Sequence, residues 1–213
     1  MAYELNGRAV IGGTVYEPSV GVWHAELEVD TLADITGAVT LSLDGVTFAG
    51  VVSRGGIDGG RWLGRLTGGA GKLSTPLAPK SYISCPLALP LGDVLTEAGE
   101  SADPSSRSLE AAVVPAWVRS RGLASHALSQ IADFTGDIWR ITRAGAVFFG
   151  AQAFPAQAVA YTLIQDDSAN SSLTIAPDAS ALVEPAAMLD GFAVSYVATS
   201  ISSSSVRQHV YYL

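Results

Sequence analysis

The residue types that most often do chemistry are few and scattered in this sequence. The three histidines, His24, His126 and His209, lie in separate segments, and none has a second histidine at the helical spacing of a zinc protease. No serine stands in the Gly-x-Ser-x-Gly pattern of a nucleophile elbow. Glu97 and Glu100 lie one helical turn apart, which is typical of solvated surface carboxylates. We therefore expect no catalytic residue, no metal site and no cofactor.

The glycine-rich segment 68–74 invites comparison with a phosphate-binding loop. A P-loop needs a glycine five positions before its Gly-Lys pair and a Ser or Thr directly after the lysine, so that backbone amides hold phosphate and the hydroxyl holds magnesium. Those two places hold Leu66 and Leu73, and the third glycine position of a dinucleotide loop holds Ser74. The sequence therefore predicts a flexible turn at the end of a β-strand.

Composition narrows the class of protein. The chain has 213 residues, of which 48% are hydrophobic and only 15% charged, so it is long enough to bury a core of one large or two small domains. Twelve Lys and Arg face twenty Asp and Glu, which gives a net charge of −8 and argues against nucleic-acid binding by charge attraction. Because so few ionic groups coat the surface, we expect part of it to be buried against other subunits.

Cysteine content and hydropathy exclude further classes. Cys85 is the one cysteine, so no intrachain disulfide can form, and the residue is expected to be a small buried apolar group. The first residues lack the basic and apolar regions of a Sec-type signal peptide, so none is expected. Every apolar run is interrupted well before the ~18–20 residues of a membrane span. We expect no membrane insertion.

The elements that would position any site are mostly β-strands. Residues 22–30 alternate most clearly, as expected for a half-buried strand. One face is apolar: Trp23, Ala25, Leu27 and Val29. The other is polar: His24, Glu26, Glu28 and Asp30. Asp44-Gly45 between two apolar runs predicts a type I′ hairpin, and a strand is expected at 61–67. Residues 1–76 are therefore predicted to form a first antiparallel sandwich or barrel.

Residues 77–136 have a mixed α/β character. Helices are predicted near 91–98 and 122–135, ended by Gly99 and Gly136, and Ser125 is a candidate N-cap for the second. Several prolines mark extended or turning chain before the first helix, and 102–108 is predicted to be an exposed loop. This segment is interpreted as an insert between two β regions.

Strand patterns return in residues 137–213. A hairpin is predicted around Gly145, followed by strands near 158–164, 172–176, 192–199 and 206–212. Three tryptophans in apolar segments are expected to anchor the core: Trp23, Trp62 and Trp139. The predicted fold class is mainly β (α+β), with two small antiparallel barrel or sandwich domains and a mixed helical insert between them.

Taken together, five stretches carry a resemblance to a known family. They are 21–26, 37–50, 62–72 with Lys80-Ser81-Tyr82, Trp139-Arg140-Ile141 with Gly145, and the closing part made of 189–199 and Val206-Arg207. In this order of features the chain resembles the baseplate or tail hub proteins of tailed bacteriophages, the group that includes the late control protein D of contractile-tailed phages. None of the stretches is a catalytic fingerprint.

The resemblance implies two tail-tube-like β domains and a structural role without enzymatic activity. Three copies of such a chain would present six similar domains in a ring, which would join a six-fold tail tube to a spike or tip. The implied partners are therefore further copies of the chain and other tail proteins: the tube, the spike or tip and the tape measure. The implied location is the virion tail, after synthesis in the bacterial host cytoplasm.

The resemblance suggests a role for the excess of acidic residues. DNA leaves through the tail lumen, and a negatively charged wall would let it pass without specific binding. We hypothesise that the face of His24, Glu26, Glu28 and Asp30 lines such a channel. Two other classes stay open at this point. One is a carbohydrate- or receptor-binding β module, and the other is a small hydrolase that uses His126 or His209.

Overall fold

The computed structural model describes residues 3–178, 181–203 and 205–213. They belong to two compact units. The first, the β unit, consists of Met1–Gly68 and Ala153–Leu213, and the second, the mixed unit, is Gly69–Gln152. The first of the two segments of the β unit contains β1 (Tyr3–Leu5), β2 (Arg8–Pro18), β3 (His24–Val29), β4 (Ala38–Leu43), β5 (Val46–Asp58) and β6 (Arg61–Gly68).

These six strands close into an antiparallel barrel. Their hydrogen-bonded order is β1-β4-β5-β6-β3-β2, and β1 pairs with β2 to complete the circle. The turn between β4 and β5 is the predicted Asp44-Gly45 pair, with φ of 49° and 91° as a type I′ turn requires. Alternate strand residues fill the interior, where the following are completely buried: Leu5, Val15, Ala25, Val29, Leu41, Leu43, Phe48, Trp62 and Leu66.

Two tryptophans in the barrel lie over paired glycines of β5 and β6. The paired residues Gly55 and Gly64 leave room for the indole of Trp62, because a Cβ on Gly64 would stand 2.0 Å from its Cη2 atom. The pair Gly50 and Gly68 does the same for Trp23. A large ring thus fits inside a narrow barrel because the cross-strand positions beneath it carry no side chain.

The mixed unit consists of two helices and three two-stranded sheets. Its elements are β7 (Pro76–Leu77), β8 (Lys80–Pro86), α1 (Ala88–Ala98), β9 (Val113–Arg119), β10 (Gly122–Leu123), α2 (Ala124–Thr135), β11 (Ile138–Ile141) and β12 (Val147–Gly150). The sheets pair β7 with β10, β8 with β9 and β11 with β12. The helices pack on each other, and α2 also contacts β11. There Trp139 is buried and its indole N–H donates to Ser129 Oγ at 3.0 Å.

The chain then returns to the β unit and extends the barrel sheet. Its last elements are β13 (Tyr161–Asp167), a 3₁₀ turn (Ser168–Asn170), β14 (Ser172–Pro177), β15 (Met188–Leu189), β16 (Phe192–Ser202) and β17 (Ser205–Tyr212). β16 pairs with β2 of the barrel, and the order continues β17, β14 and β13, so that one sheet runs through the whole unit. Its extension covers a second apolar core: Leu173, Ile175, Val183, Leu189, Val194, Val197 and Val210.

The mainly β fold class is confirmed, with an antiparallel barrel, further strands and two helices. The domain boundaries differ from those predicted at 76 and 136. The hairpin of β11 and β12 belongs to the mixed unit, because Trp139 anchors it to α2. The strands of 161–212 join the barrel sheet through the pairing of β16 with β2. That pairing links residues almost two hundred positions apart, and strand alternation alone does not reveal it.

Local boundaries were predicted more closely than long-range pairing. Both helices end as expected, with Gly99 and Gly136 left-handed at φ of 76° and 70°. The first helix begins at Ala88, three residues before the predicted 91. The capping role of Ser125 was wrong, because Ser125 lies inside the first turn of α2 and no side chain caps that helix. Neither helix of the described chain has the length and apolar run of a membrane span.

Candidate interaction surface

The polar face predicted on β3 belongs to the outer face of the sheet. We use "outer face" for the side that points away from the barrel interior and from the second core. Ala25, Leu27 and Val29 are buried inside the barrel, and Glu26 and Asp30 are exposed on the other side. His24 and Glu28 are half-buried there. The structure therefore brings the four predicted residues to one surface along a single strand.

Arginines of the neighbouring strands neutralise this surface. Glu26 pairs across strands with Arg65 of β6, and Arg65 pairs in turn with Arg54 of β5. Arg61 forms an ion pair with Glu28. Sequence alternation found the carboxylates and missed these partners, because the register of β3, β6 and β5 decides which charges meet. The face is of mixed charge rather than acidic.

A shallow cleft of about 590 Å³ lies on the same face. It is flanked by the side chains of Glu26, Glu28, Arg54, Leu63 and Arg65. Since the side chain of Leu27 points into the barrel, its backbone forms part of the cleft floor together with nearby glycines. The cleft offers both signs of charge and bare backbone, a lining that suits contact with another protein better than one small ligand of fixed charge.

An aromatic row crosses the centre of the outer face, and sequence reasoning did not find it. We define it as His24 of β3, Tyr16 of β2, Tyr196 of β16 and Tyr211 of β17. The rings of Tyr16 and His24 stack at a centroid distance of 4.7 Å, and those of Tyr196 and Tyr211 meet edge to face at 5.6 Å. Strand register supplies the contacts, since His24 pairs with Tyr16 and Tyr196 with Tyr211. Alternation placed His24 on the polar face of its strand, but the three tyrosines of the row have no signal in a single-strand pattern.

Two ionisable groups of the row, His24 and Tyr196, have pKa values shifted toward their neutral forms. Burial, aided by the nearby Arg65 guanidinium, lowers the pKa of His24 below its ordinary value, and Glu26 opposes this shift only in part. Burial, with the neighbouring Tyr16 and Tyr211, raises the pKa of Tyr196. At neutral pH His24 therefore presents an uncharged imidazole, and Tyr196 a phenol hydroxyl that remains a hydrogen-bond donor.

The glycine-rich loop holds a carboxylate of this chain. The backbone N–H groups of Ala70 and Lys72 donate to the two carboxylate oxygens of Glu100, at 2.9 and 2.7 Å. Gly69, with φ of 71°, passes so close that a Cβ there would stand 2.7 Å from Glu100 Oε2. The loop is thus an anion-binding turn that Glu100 fills, where the sequence predicted only a flexible turn. Its role within the mixed unit is to tie the loop to the end of α1.

We expect Glu100→Ala to destabilise the mixed unit by about 2 kcal/mol, because two charge-assisted hydrogen bonds from backbone amides are lost. Thermal or denaturant unfolding of the full chain measures the effect. Glu110→Ala is the matched control, because Glu110 is an exposed carboxylate of the same unit. Equal stability of the Glu100→Ala and Glu110→Ala proteins would contradict the role given to Glu100.

The remaining candidates for chemistry stay apart. His209 of β17 lies 3.1 Å from the Thr174 hydroxyl through Nδ1, and His126 belongs to α2 in the mixed unit. Across the described ranges, no group of three or more His, Cys, Asp and Glu side chains could hold a metal ion. Cys85 is buried, as expected. The surface with the most features for recognition is therefore the outer face with its charges, cleft and aromatic row.

No protein-family model and no curated protein sequence matches the chain. Solved structures do match. A 43 kDa tail protein of prophage MuSo2 from Shewanella oneidensis has a TM-score of 0.69 at 9% identity, covering 99% of this chain and 96% of its own. A type VI secretion system component of E. coli, itself similar in structure to T4 bacteriophage tail proteins gp27 and gp5, has a TM-score of 0.62 at 11% identity. That match covers 100% of this chain and 75% of the other.

A third match has lower similarity. The prophage tail protein gp18 from Listeria monocytogenes has a TM-score of 0.45 at 9% identity. The first two alignments take in both units of the chain, since they cover nearly all of it. The chain therefore has the fold of a prophage tail protein and of a type VI secretion component over its whole described length.

Proposed function

We propose that this chain is a structural component of a bacteriophage tail. In this role it is a hub or adaptor ring that joins the tail tube to the distal spike or tip and forms part of the DNA-ejection channel. The observation that carries the proposal is the end-to-end match with the prophage MuSo2 tail protein, with 99% and 96% of the two chains covered. The role is structural rather than catalytic, and the chain resides in the virion tail after synthesis in the host cytoplasm.

The partners in this proposal are further copies of the chain, with a trimer as the assembly, and the tube, spike or tip and tape-measure proteins. Twenty carboxylates and a net charge of −8 are compatible with DNA that passes without binding. The proposal does not assign the β3 face to the channel wall. Arg54, Arg61 and Arg65 offset the carboxylates there, so this face would not repel phosphate as an acidic wall would.

A carbohydrate-binding module is the less favoured alternative. Sugars stack on the flat faces of aromatic rings, and such a site needs those faces open to solvent. In the aromatic row the faces of Tyr16 and His24 are turned toward each other, at an interplanar angle of 23°. The edge of one ring of the Tyr196 and Tyr211 pair meets the face of the other. This geometry leaves ring edges and hydroxyls for a partner.

Cryo-electron microscopy of the phage particle that carries this chain tests the proposal. The expected result is density for three copies in a ring at the distal end of the tail tube, in contact with tube and spike or tip subunits. Detection of the tube protein in the same preparation is the control for intact tails. Intact tails without this chain, or with copies distributed along the tube, would contradict the proposal.

A further inference from the structure

The outer face has a composition that protein interfaces favour. Tyrosine and arginine are enriched at interface centres, because they combine a large contact area with polar groups that remain satisfied when water leaves. Tyr16, Tyr196 and Tyr211 stand in the middle of this face, and Arg65 lies beside them on β6. Tyr211 retains 39% exposure, a large value for a ring packed against another ring on a continuous sheet.

A partner that covers these rings pays only a small free energy of desolvation. Covering a charge is expensive, whereas covering a neutral imidazole or phenol that keeps a hydrogen bond is not. The groups that face His24 are the ring of Tyr16, the guanidinium of Arg65 and the carboxylate of Glu26. Burial and the Arg65 guanidinium keep the imidazole neutral, and the charges of Arg65 and Glu26 offset each other. The centre of the face is therefore close to neutral and its ionic groups lie around it.

The balance of charge around the aromatic row points to the kind of partner. On the six neighbouring strands β5, β6, β3, β2, β16 and β17, the outer face carries four arginines and four carboxylates: Arg54, Arg61, Arg65 and Arg207, with Glu26, Glu28, Asp58 and, directly after β3, Asp30. Because these cancel, the net charge of −8 is carried by the rest of the chain. Two copies of an acidic protein repel each other on most approaches, but not where one of them presents this face.

We infer that the outer face, centred on the aromatic row, is the surface on which a second copy of this chain docks. The four arginines then meet carboxylates of the acidic neighbour, and the tyrosine hydroxyls donate to its acceptors. Such a contact joins two different surfaces of the same protein, and contacts of that type form a ring when the rotation between copies closes. The inference rests on the proposed function, since a hub ring requires a contact between copies.

Tyr211→Asp tests this contact in the isolated full chain. It places a charge on an exposed position of the row and removes one aromatic anchor. In sedimentation velocity from about 1 to about 100 µM, the wild-type chain is expected to self-associate, and Tyr211→Asp to raise the dissociation constant at least tenfold, or ~1.4 kcal/mol. Phe134→Asp is the matched control. Phe134 is an exposed aromatic residue in the mixed unit with its own edge-to-face neighbour, Trp117.

A second variant separates a lost contact from misfolding of the Tyr211→Asp protein. Ser200 is exposed at the centre of the face, where it pairs with Thr14 and Arg207. Ser200→Glu adds bulk and a negative charge that repels an acidic neighbour, and it removes no packed ring and stands opposite Arg207, so the variant keeps its unfolding temperature and is expected to lose self-association to a similar degree. A monomeric wild-type chain at all concentrations would overturn the inference. So would self-association that survives both outer-face variants, or that only Phe134→Asp disrupts.

The outcome is separable from that of the proposed function. If the chain is found at the tail tip but self-associates independently of Tyr211 and Ser200, the tail role stands and this surface is wrong. If self-association depends on both residues but intact tails lack the chain, the surface stands and the tail role is wrong. Glycan binding by a monomeric wild-type chain that Tyr211→Asp abolishes would overturn the docking inference and favour a binding module.

Discussion

Gly64→Ala is expected to destabilise the barrel by about 3 kcal/mol, at the upper end of what overpacking costs in a protein core. The added Cβ would lie 2.0 and 2.3 Å from Cη2 and Cζ2 of Trp62. The indole cannot move aside easily, because Trp62 is completely buried and its Nε1 donates to Asp34 at 3.2 Å. Denaturant unfolding of the full chain, followed by tryptophan fluorescence, measures the loss.

Gly56→Ala is the matched control on the adjacent strand. Gly56 belongs to the same hairpin, where it pairs with Leu63, but a Cβ there would meet nothing within 4 Å. We expect the stability of this variant to stay within about 0.5 kcal/mol of the wild-type value. If the Gly64→Ala and Gly56→Ala proteins unfolded at the same denaturant concentration, contact with the indole would not be the reason for glycine at position 64.

A double-mutant cycle identifies the ring as the cause. Trp62→Leu alone leaves a cavity and is expected to lose about 3 kcal/mol. In the Trp62→Leu background the alanine at 64 has space, so the second substitution should cost far less than in the wild-type background. A coupling of at least 1 kcal/mol in this direction is expected between the two positions. Additive effects would contradict the packing argument.

The glycines beside Trp62 also show which features of the fold could be predicted from the sequence and which could not. Features with short-range causes were predictable: the Asp44-Gly45 turn, and the helix ends at Gly99 and Gly136, depend on residues within one turn of themselves. The burial of Trp62 is also visible in its apolar strand. Its need for glycine at 55 depends on the pairing of β5 with β6, including a register shift between Val52 and Arg54. The residue pattern of a single strand does not reveal a register shift between two strands.

The same limit applies to the mixed unit. β8 and β9 were not predicted as paired strands, because the prolines around β8 suggested extended or turning chain and the helix α1 separates the two segments. Their pairing places Tyr82 opposite Trp117, and Ser84 adopts a positive φ of 47° between the exposed Ile83 and the buried Cys85. A left-handed residue inside a strand reverses the alternation of burial, so a period-2 pattern is not seen there.

The interaction surface was predictable only in part. Alternation in β3 identified Glu26 and Glu28, and from these an acidic wall was expected. The arginines that neutralise them lie 33 to 39 positions later in sequence, as with Arg61 and Glu28, and only the barrel closure brings them alongside. The aromatic row needs longer connections still, since the pairing of β2 with β16 makes Tyr16 and Tyr196 diagonal neighbours, with Tyr16 opposite Ala198 and Tyr196 opposite Pro18. The charge and aromatic pattern of one strand therefore predicts its own residues on a surface but not the residues that the paired strands bring beside them.

Two glutamines hold a buried segment that lies outside the strands. Residues 182–184 lie outside the strands, yet Leu182 and Val183 are buried. The amide of Gln208 accepts from Val183 N–H at 2.9 Å and donates to Val183 C=O at 3.2 Å. On the other side, Gln157 donates to Leu182 C=O and accepts from Glu184 N–H. Successive residues of an extended chain point their polar groups to opposite sides, so each side-chain amide acts as a neighbouring strand would.

Gln208→Leu is expected to lose at least about 3 kcal/mol of stability, because it keeps the side-chain size but removes three buried hydrogen bonds. Besides the two bonds to Val183, the Gln208 amide donates to Thr199 Oγ1 at 3.1 Å, and both Gln208 and Thr199 are completely buried. Buried polar groups that lose a partner cost about 1–3 kcal/mol each. Hydrogen exchange should show faster exchange at the Val183 amide, and denaturant unfolding gives the free energy.

Gln165→Leu separates this effect from the general consequence of replacing a glutamine in a strand. Gln165 lies in the edge strand β13, where its side chain is exposed, and its replacement should change stability by less than about 0.5 kcal/mol. Equal losses in the two variants would mean that the amide of Gln208 does not hold the segment. The expected difference follows from the positions of the two glutamines. Water can hydrogen-bond to the exposed polar groups near Gln165, so the loss of that amide has little effect on stability. Val183 is buried, so the backbone groups that the Gln208 amide binds cannot turn to water instead.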